Sequence, residues 1–280
     1  MLYACVMSLA GVGKETVRIV ENGEYTLPSG ARVSIAAEIA RAIEGTRLYT
    51  PDDLASLVLL PFEAGACRIE VTDETTGAAA RRLVEREGEA RVAALNFASA
   101  KNPGGGFLGG AKAQEEDLAR CSALYACQIT QPAYYEENRA CDSMLYTDHL
   151  IYSPDVPFFR DERCDLLPAP FLVSILTSPA PNAGEELRRR SRARPQIRAA
   201  LERRADHVLR VAAVEGHRTL VLGAWGCGVF RNDPTEVADV FGKALAAPHF
   251  AGAFARVVFA VYDRSPNLAN RRAFEMRFGR

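Results

Sequence analysis

From Cys67 onward the chain alternates short β-branched or apolar runs with longer amphipathic stretches, and this alternation constrains the fold more than any other feature. The runs "CRIEVT", "RVAALNFA", "FLVSILTS", "TLVLGAW" and "ARVVFAVY" have the length and composition of strands. Between them lie "TTGAAARRLVERE", "EEDLARCSALYA", "RPQIRAALERRADHVLRVAAVE" and "PTEVADVFGKALAA", which read as helices. Strands that are apolar throughout are buried on both faces, so the pattern predicts a three-layer α/β domain with helices on either side of a central sheet. Hydrophobic residues make up 48% of the 280, enough for a sizeable core.

The first 66 residues read differently. In "SIAAEIARAIEGTRLYTPDDLASLVLL" the residues Ile35, Ile39 and Ile43 recur every four positions as a helical stripe, which Gly45 and Pro51 then interrupt. No internal repeat or low-complexity linker sets this part off. Residues 1–66 are therefore expected to be a helical extension packed on a domain spanning 67–280.

Lys and Arg number 34 against 35 Asp and Glu, a formal charge of −1, so nothing draws the whole molecule toward nucleic acid or an anionic membrane. An anionic ligand must be held locally. No apolar run approaches the roughly 20 residues that span a bilayer. The start, "MLYACVMSLAGVGKETVRIV", lacks a basic leader and a clear cleavage site, so the expectation is a cytoplasmic protein. Its seven cysteines (Cys5, Cys67, Cys121, Cys127, Cys141, Cys164, Cys227) form no C-x-x-C pair, and their odd number suits a reducing compartment. His149, His207, His217 and His249 lack metal-ligand spacing, and no metal is expected.

In layered α/β sheets ligands bind beyond the carboxyl ends of the strands. Two strand ends stand out. The first, "RVAALNFA", leads into "NPGGGFLGGAKAQEEDL", with five glycines in seven positions followed by Glu115, Glu116 and Asp117. A glycine loop entering a helix suits an anion, whereas carboxylates at that same end repel one. Acidic residues favour helix N-termini on dipole grounds alone, but the glycine run needs a reason of its own. Glycosidic cleavage supplies one, because it needs an acid to protonate the departing oxygen and a carboxylate to steady a cationic centre or activate water. With adjacent glutamates, one is expected to grip sugar hydroxyls while the other handles the proton. A helix N-terminus favours the charged carboxylate, and a neighbouring carboxylate or a bound diphosphate favours the protonated one.

The second strand end, "TLVLGAW", continues into "GCGVFRNDPTEV". Gly223, Gly226 and Gly228 remove Cβ atoms that would keep backbone from a ligand. Asp233 fits an N-cap, Pro234 the first helical position and Glu236 a capping box. This stretch reads as a phosphate-binding loop or, more plainly, as a tight strand-to-helix turn. Trp225 and Phe230 either line a sugar or base or belong to the core. Two other stretches are set aside: "GVGKET" at Gly11 lacks the full phosphate-loop spacing, and "RRRSRAR", Arg188 to Arg194, reads as a solvated face.

Together, "NPGGGFLGGAKAQEE" and "LGAWGCGVFRNDP" resemble the signature and the diphosphate loop of poly(ADP-ribose) glycohydrolases of the compact microbial type. "VYDRSPN", "GEYTLPSG" and "GTRLYTPDDL" extend the similarity over essentially the whole chain. The resemblance implies an α/β/α macrodomain with a mixed central sheet, preceded by an N-terminal helical extension. It further implies that Glu116 protonates the inter-ribose oxygen and that Glu115 orients the terminal ribose. Gly104, Gly105 and Gly106 would let backbone approach the diphosphate and terminal ribose, with Gln114 helping to place the acids. Gly226, Cys227, Gly228 and Val229 would contact the diphosphate, Phe230 would pack on the terminal ribose, and Asn96 and Asn102 would contact ribose or adenine. Cys227 has no histidine close in sequence and reads as a small residue chosen for fit, not a nucleophile.

The activity so implied is hydrolysis of ribose–ribose bonds in poly(ADP-ribose) to release ADP-ribose, without metal or organic cofactor. Its partners would be poly(ADP-ribose), ADP-ribose and poly(ADP-ribosyl)ated proteins, with no direct nucleic acid and no membrane. A monomer acting in ADP-ribosylation reversal and the DNA damage response is expected. The alternatives are a macrodomain reader that binds ADP-ribose without cutting it, and a related hydrolase acting on protein-linked monomers or nucleotide sugars.

Overall fold

A computed structural model describes residues 7–63 and 65–279. Cys5 and the stretch "MLYACV" lie outside them. Helix α1 (Leu9–Asn22) starts at Ser8, whose side chain accepts from the Gly11 amide, and is followed by a small hairpin, β1 (Glu24–Thr26) and β2 (Arg32–Ser34). "GVGKET" thus lies inside a helix and cradles nothing. Next come α2 (Ala36–Gly45), β3 (Arg47–Tyr49) and α3 (Pro51–Ser56), the last opened by a capping box between Thr50 and Asp53. The strands β4 (Arg68–Thr72) and β5 (Val92–Phe97) flank α4 (Thr76–Arg81), and α5 (Gln114–Cys121), α6 (Leu124–Gln128) and α7 (Pro132–Ala140) follow.

The long antiparallel pair β6 (Leu150–Arg160) and β7 (Leu166–Ser178) leads to α8 (Ala183–Arg189) and α9 (Arg194–Val214). Strand β8 (Thr219–Leu222), α10 (Pro234–Leu245), β9 (Arg256–Ala260) and α11 (Ala269–Phe278) complete the domain. The central sheet has seven strands in the order β3-β6-β7-β5-β8-β9-β4. Pairing is parallel from β7 through β4 and antiparallel on the β3-β6-β7 side, which makes the sheet mixed. All five anticipated strands are present, and two apolar clusters lie on either face of the sheet.

The extension expected over 1–66 does more than pack on this domain. Its β3 pairs with β6 and forms an edge of the central sheet, and Ile19, Tyr25, Ile35 and Ile39 share one apolar cluster with Val92, Ala94 and Val258. A boundary at residue 66 therefore cuts through both a sheet and a core. The short run "RLY" gives no sequence signal of strand, because its pairing partner supplies the stabilisation.

Strands β5 and β8 are parallel neighbours, with Val92, Ala93 and Ala94 paired to Thr219, Leu220 and Val221. Their carboxyl ends therefore lie side by side, and the two glycine-bearing loops start there. A Cβ on Gly223 would sit 3.0 Å from the Phe97 ring, so the loops touch where they begin.

Candidate active site

Helix α5 carries the acidic residues, and its position is set by Gln114. The Gln114 Oε1 accepts from the Phe97 amide (2.8 Å), while its Nε2 donates to the Leu95 carbonyl (2.7 Å) and to Thr76 Oγ1 (3.0 Å). One side-chain amide thus bonds the end of β5 as a neighbouring strand would. Gln114 makes no bond to either glutamate; it places them by fixing the start of their helix.

Glu115 is only 3% exposed. Its Oε2 accepts from the Ser99 amide (2.6 Å), and its Oε1 accepts from Gln128 Nε2 (2.8 Å) and Asn96 Nδ2 (3.2 Å). Burial pushes its carboxyl up, these three donors pull it back, and Glu116 nearby raises it again, leaving it at about 7. Asn96, fully buried, also donates to Thr177 Oγ1 (3.2 Å). It holds Glu115, and a direct ligand contact from it would have to come through its Oδ1, which has no partner. Asn102 is exposed, and its carbonyl accepts from the Gly105 amide (3.0 Å).

Glu116 is half-buried and is anchored differently. The amide of Gly106 donates to its Oε1 (3.0 Å) and that of Ala113 to its Oε2 (3.2 Å). The second bond is one arm of a capping box; Ala113 has no side-chain acceptor with which to make the other. Both carboxylates face Gly105, which adopts φ +57°. A Cβ at Gly105 would overlap the Glu116 carboxylate and lie 3.2 Å from Glu115 Oε2. Glycine is required there on both counts.

The triglycine, expected to let backbone approach the diphosphate and terminal ribose, directs its own N–H groups into the protein. The Gly104 amide donates to Gln128 Oε1 (2.9 Å), the Gly105 amide to the Asn102 carbonyl and the Gly106 amide to Glu116. All three donors are consumed within the protein. The loop is built to seat the acids, and any approach to a diphosphate is by backbone contact alone.

The second loop is the reverse. Cys227 donates to the Ala224 carbonyl, Arg231 to Gly228 and Asn232 to Gly226, but among the described residues the amides of Gly226, Gly228, Val229 and Phe230 have no acceptor. A Cβ on Gly228 would meet nothing within 4 Å, and Val229 is 82% exposed. Successive unsatisfied amides on an open loop suit an anion. Gly226, at φ +71°, presses against Ala180 and the Asn232 amide, so its glycine is structural. Asp233 caps α10 through the Thr235 and Glu236 amides as anticipated, whereas Glu236 turns to Arg198 Nη1 (3.5 Å) in place of completing a capping box.

The two aromatic residues part company. Trp225 is fully buried and donates from Nε1 to the Ser178 carbonyl (3.1 Å), so it belongs to the core. Phe230 is half-buried against Tyr146, with ring centroids 6.0 Å apart. Burial pushes the Cys227 thiol well up, which is wrong for a nucleophile.

Gln128 is the residue that sequence reading missed. It is fully buried, and its one amide group joins the first glycine of the loop to the inner glutamate. The stretch "EEDLARCSALYA" reads as one helix, but the chain breaks at Ser122 (φ −145°, ψ 179°), which bridges to Phe158. Ser122 Oγ donates to the Leu118 carbonyl and accepts from the Leu124 amide, and Ala123 donates to the Pro157 carbonyl. That break carries Gln128 back beneath Glu115, and no glycine or proline announces it.

A macrodomain-like glycosidase is what this fold and site define: an α/β/α sandwich that seats two carboxylates beside a loop of open amides. Residues 13–161 match the family "Microbial-type PARG, catalytic domain". Among solved structures, the poly(ADP-ribose) glycohydrolase of Thermomonospora curvata is 52% identical, with a TM-score of 0.91 over 96% of this chain and 99% of that one. The same protein bound to the inhibitor ADP-HPD gives 51% and 0.88 over the same shares. The Deinococcus radiodurans glycohydrolase in complex with ADP-ribose is 50% identical, with a TM-score of 0.79 over 85% of this chain and 96% of that one. A comparison with curated proteins finds no match. The chain belongs to the microbial-type poly(ADP-ribose) glycohydrolase family.

Proposed function

We propose that Glu116 is the general acid and base with which this poly(ADP-ribose) glycohydrolase cleaves the ribose–ribose O-glycosidic bond. The observation that carries the assignment is the difference in access between the two glutamates. Glu115 is enclosed and already accepts three hydrogen bonds, whereas Glu116 is half-exposed and held by two backbone amides. An ionised carboxylate has about four acceptor sites. Glu115 thus keeps one for a ribose hydroxyl, which suits a positioning role.

In the reaction Glu116 gives its proton to the departing 2′ oxygen as the bond from that oxygen to the anomeric carbon breaks, its electron pair leaving with the oxygen. The anomeric carbon becomes an oxocarbenium-like centre. The Glu116 carboxylate then takes a proton from the water that attacks this carbon, which restores the acid and releases ADP-ribose. The open amides of Gly226, Gly228, Val229 and Phe230 hold the diphosphate, and the Phe230 ring packs on the terminal ribose. Asn102, exposed beside the first loop, contacts ribose or adenine in this reading.

Poly(ADP-ribosyl)ated proteins are the source of the polymer in this reading, and the protein acts as a monomer. A reducing, cytoplasmic setting is supported by the six free cysteines of the described residues. Incubation with poly(ADP-ribose) of defined length, products resolved by chromatography, tests the activity. Free ADP-ribose is expected; intact polymer together with tight ADP-ribose binding would mark a reader.

A further inference from the structure

The terminal ADP-ribose accounts for the two glycine loops, but not for the cations between them. At −1 net charge the molecule has no general attraction for a polyanion, so contact with a polymer carrying two phosphates per unit must come from local charge. Lys101 stands directly before the first loop, and its carbonyl accepts from Arg139 Nη1 (2.6 Å). Three residues after Arg139, the Asp142 carbonyl accepts from Arg189 Nη1 (3.3 Å). Arg189 closes α8, and α8 is tied to the second loop by the bond from the Gly184 amide to the Phe230 carbonyl (3.0 Å). The Arg231 side chain lies against Gly184, where a Cβ would meet its Cδ at 3.0 Å.

Lys101, Arg139, Arg189 and Arg231 therefore form a band that runs from the acid-bearing loop to the diphosphate loop. Among the described residues none of the four has a carboxylate ion-pair partner, whereas Arg188 and Arg190 pair with Glu185 and Glu186. The arginine run is thus divided between helix pairs and an unpaired remainder. The segment beneath the band is fixed: Glu186, buried, accepts from the Met144 amide (2.8 Å) and from Ser143 Oγ (3.2 Å), and Asn182 donates to the Met144 carbonyl (2.8 Å). With seven residues, α8 is about 10 Å long.

We infer that this band is a subsite for the polymer beyond the terminal unit, with Arg139 and Arg189 contacting the diphosphate of the adjoining ADP-ribose. The inference rests on the proposed hydrolase reading, since it assumes that the terminal unit occupies the two loops. Its chemistry is charge pairing with phosphate, exposed and salt-sensitive.

The test compares the wild type with Arg139→Gln/Arg189→Gln and with the charge-keeping Arg139→Lys/Arg189→Lys. For long polymer at low salt, kcat/KM of the Gln pair is expected to fall roughly tenfold, and its log–log salt slope to become shallower by about 1.4, the change expected when two phosphates are no longer neutralised. ADP-ribose affinity stays unchanged, and the Lys pair keeps most of the long-polymer rate. Unchanged long-polymer kinetics, an equal loss in the Lys pair, or a parallel loss of ADP-ribose affinity overturns the subsite. So does single-stranded DNA of equal phosphate number competing as well as the polymer, which would mark a nucleic-acid surface. Polymer binding by the same pairs in a Glu116→Gln background decides the subsite even where the wild type releases nothing, a result that would count against the hydrolase reading alone.

Discussion

The two glycine loops start from neighbouring parallel strands and look alike in sequence, yet the structure uses them in opposite ways. In Gly104–Gly106 every amide is spent on the protein, and the space vacated by the missing side chain of Gly105 is filled by carboxylates. In Gly226–Phe230 four amides have no acceptor among the described residues, and a Cβ on Gly228 would meet nothing within 4 Å. One loop is preorganised around a proton donor, and the other is left unsatisfied for a ligand to complete. Glycine content alone does not distinguish a catalytic seat from an anion cradle; the destination of the N–H groups does.

The same substitution in each loop should separate the two. Gly105→Ala places a Cβ on the carboxylates at a left-handed backbone position, a conformation that costs of order 1–3 kcal/mol in itself. Its kcat on poly(ADP-ribose) should fall by at least about a hundredfold, with a lowered Tm in thermal unfolding. Gly228→Ala has room for its methyl group and should leave the Tm unchanged while weakening ADP-ribose about tenfold in calorimetry, by filling space the diphosphate needs. Equal kcat losses with equal ADP-ribose affinity would erase the distinction.

Gln128→Leu probes the first loop from beneath. It strands the Gly104 amide and removes a donor from Glu115, which should cost about 1–3 kcal/mol in denaturant unfolding and lower kcat more than KM. A variant as stable and as active as the wild type would show that the bridge is incidental.

Glu115 gives the comparison a pH dependence. Its folded value of about 7 lies above its ordinary 4.5, so the folded state holds the proton longer than the unfolded one. Its contribution to stability is fully present below about pH 4.5 and is lost as pH rises through 7, by about 3 kcal/mol for this group alone. Glu115→Gln should flatten that part of the stability profile. A profile of unchanged slope would contradict the burial argument. The smallest effect is expected at Cys227, where Cys227→Ala should keep near-normal turnover; loss of activity on that change, with ADP-ribose binding retained, would revive a thiol mechanism.

Much of the frame was legible because it depends on local pattern. Apolar runs marked the five strands between β4 and β9 that follow strand composition, and glycine, proline and cap residues marked both loops. What escaped was decided by tertiary contact. Strand β6 interrupts its run with Pro154, Asp155 and Pro157 and shows register shifts against β7. Strand β3 is three residues long and exists through its partner. Gln128 reaches Glu115 through a helix break that a bridge to Phe158 imposes. The carboxylates could be picked out from their place after the glycines, but which of them is enclosed could not, since Glu115 and Glu116 differ only in which way a single helical turn points them.

The most direct measurement pairs single-turnover ADP-ribose release with calorimetric ADP-ribose binding in Glu116→Gln. Release is expected to fall about a thousandfold, within the range lost when a general acid–base is removed, with ADP-ribose affinity within about threefold of the wild type. Release at the wild-type rate would contradict the Glu116 assignment.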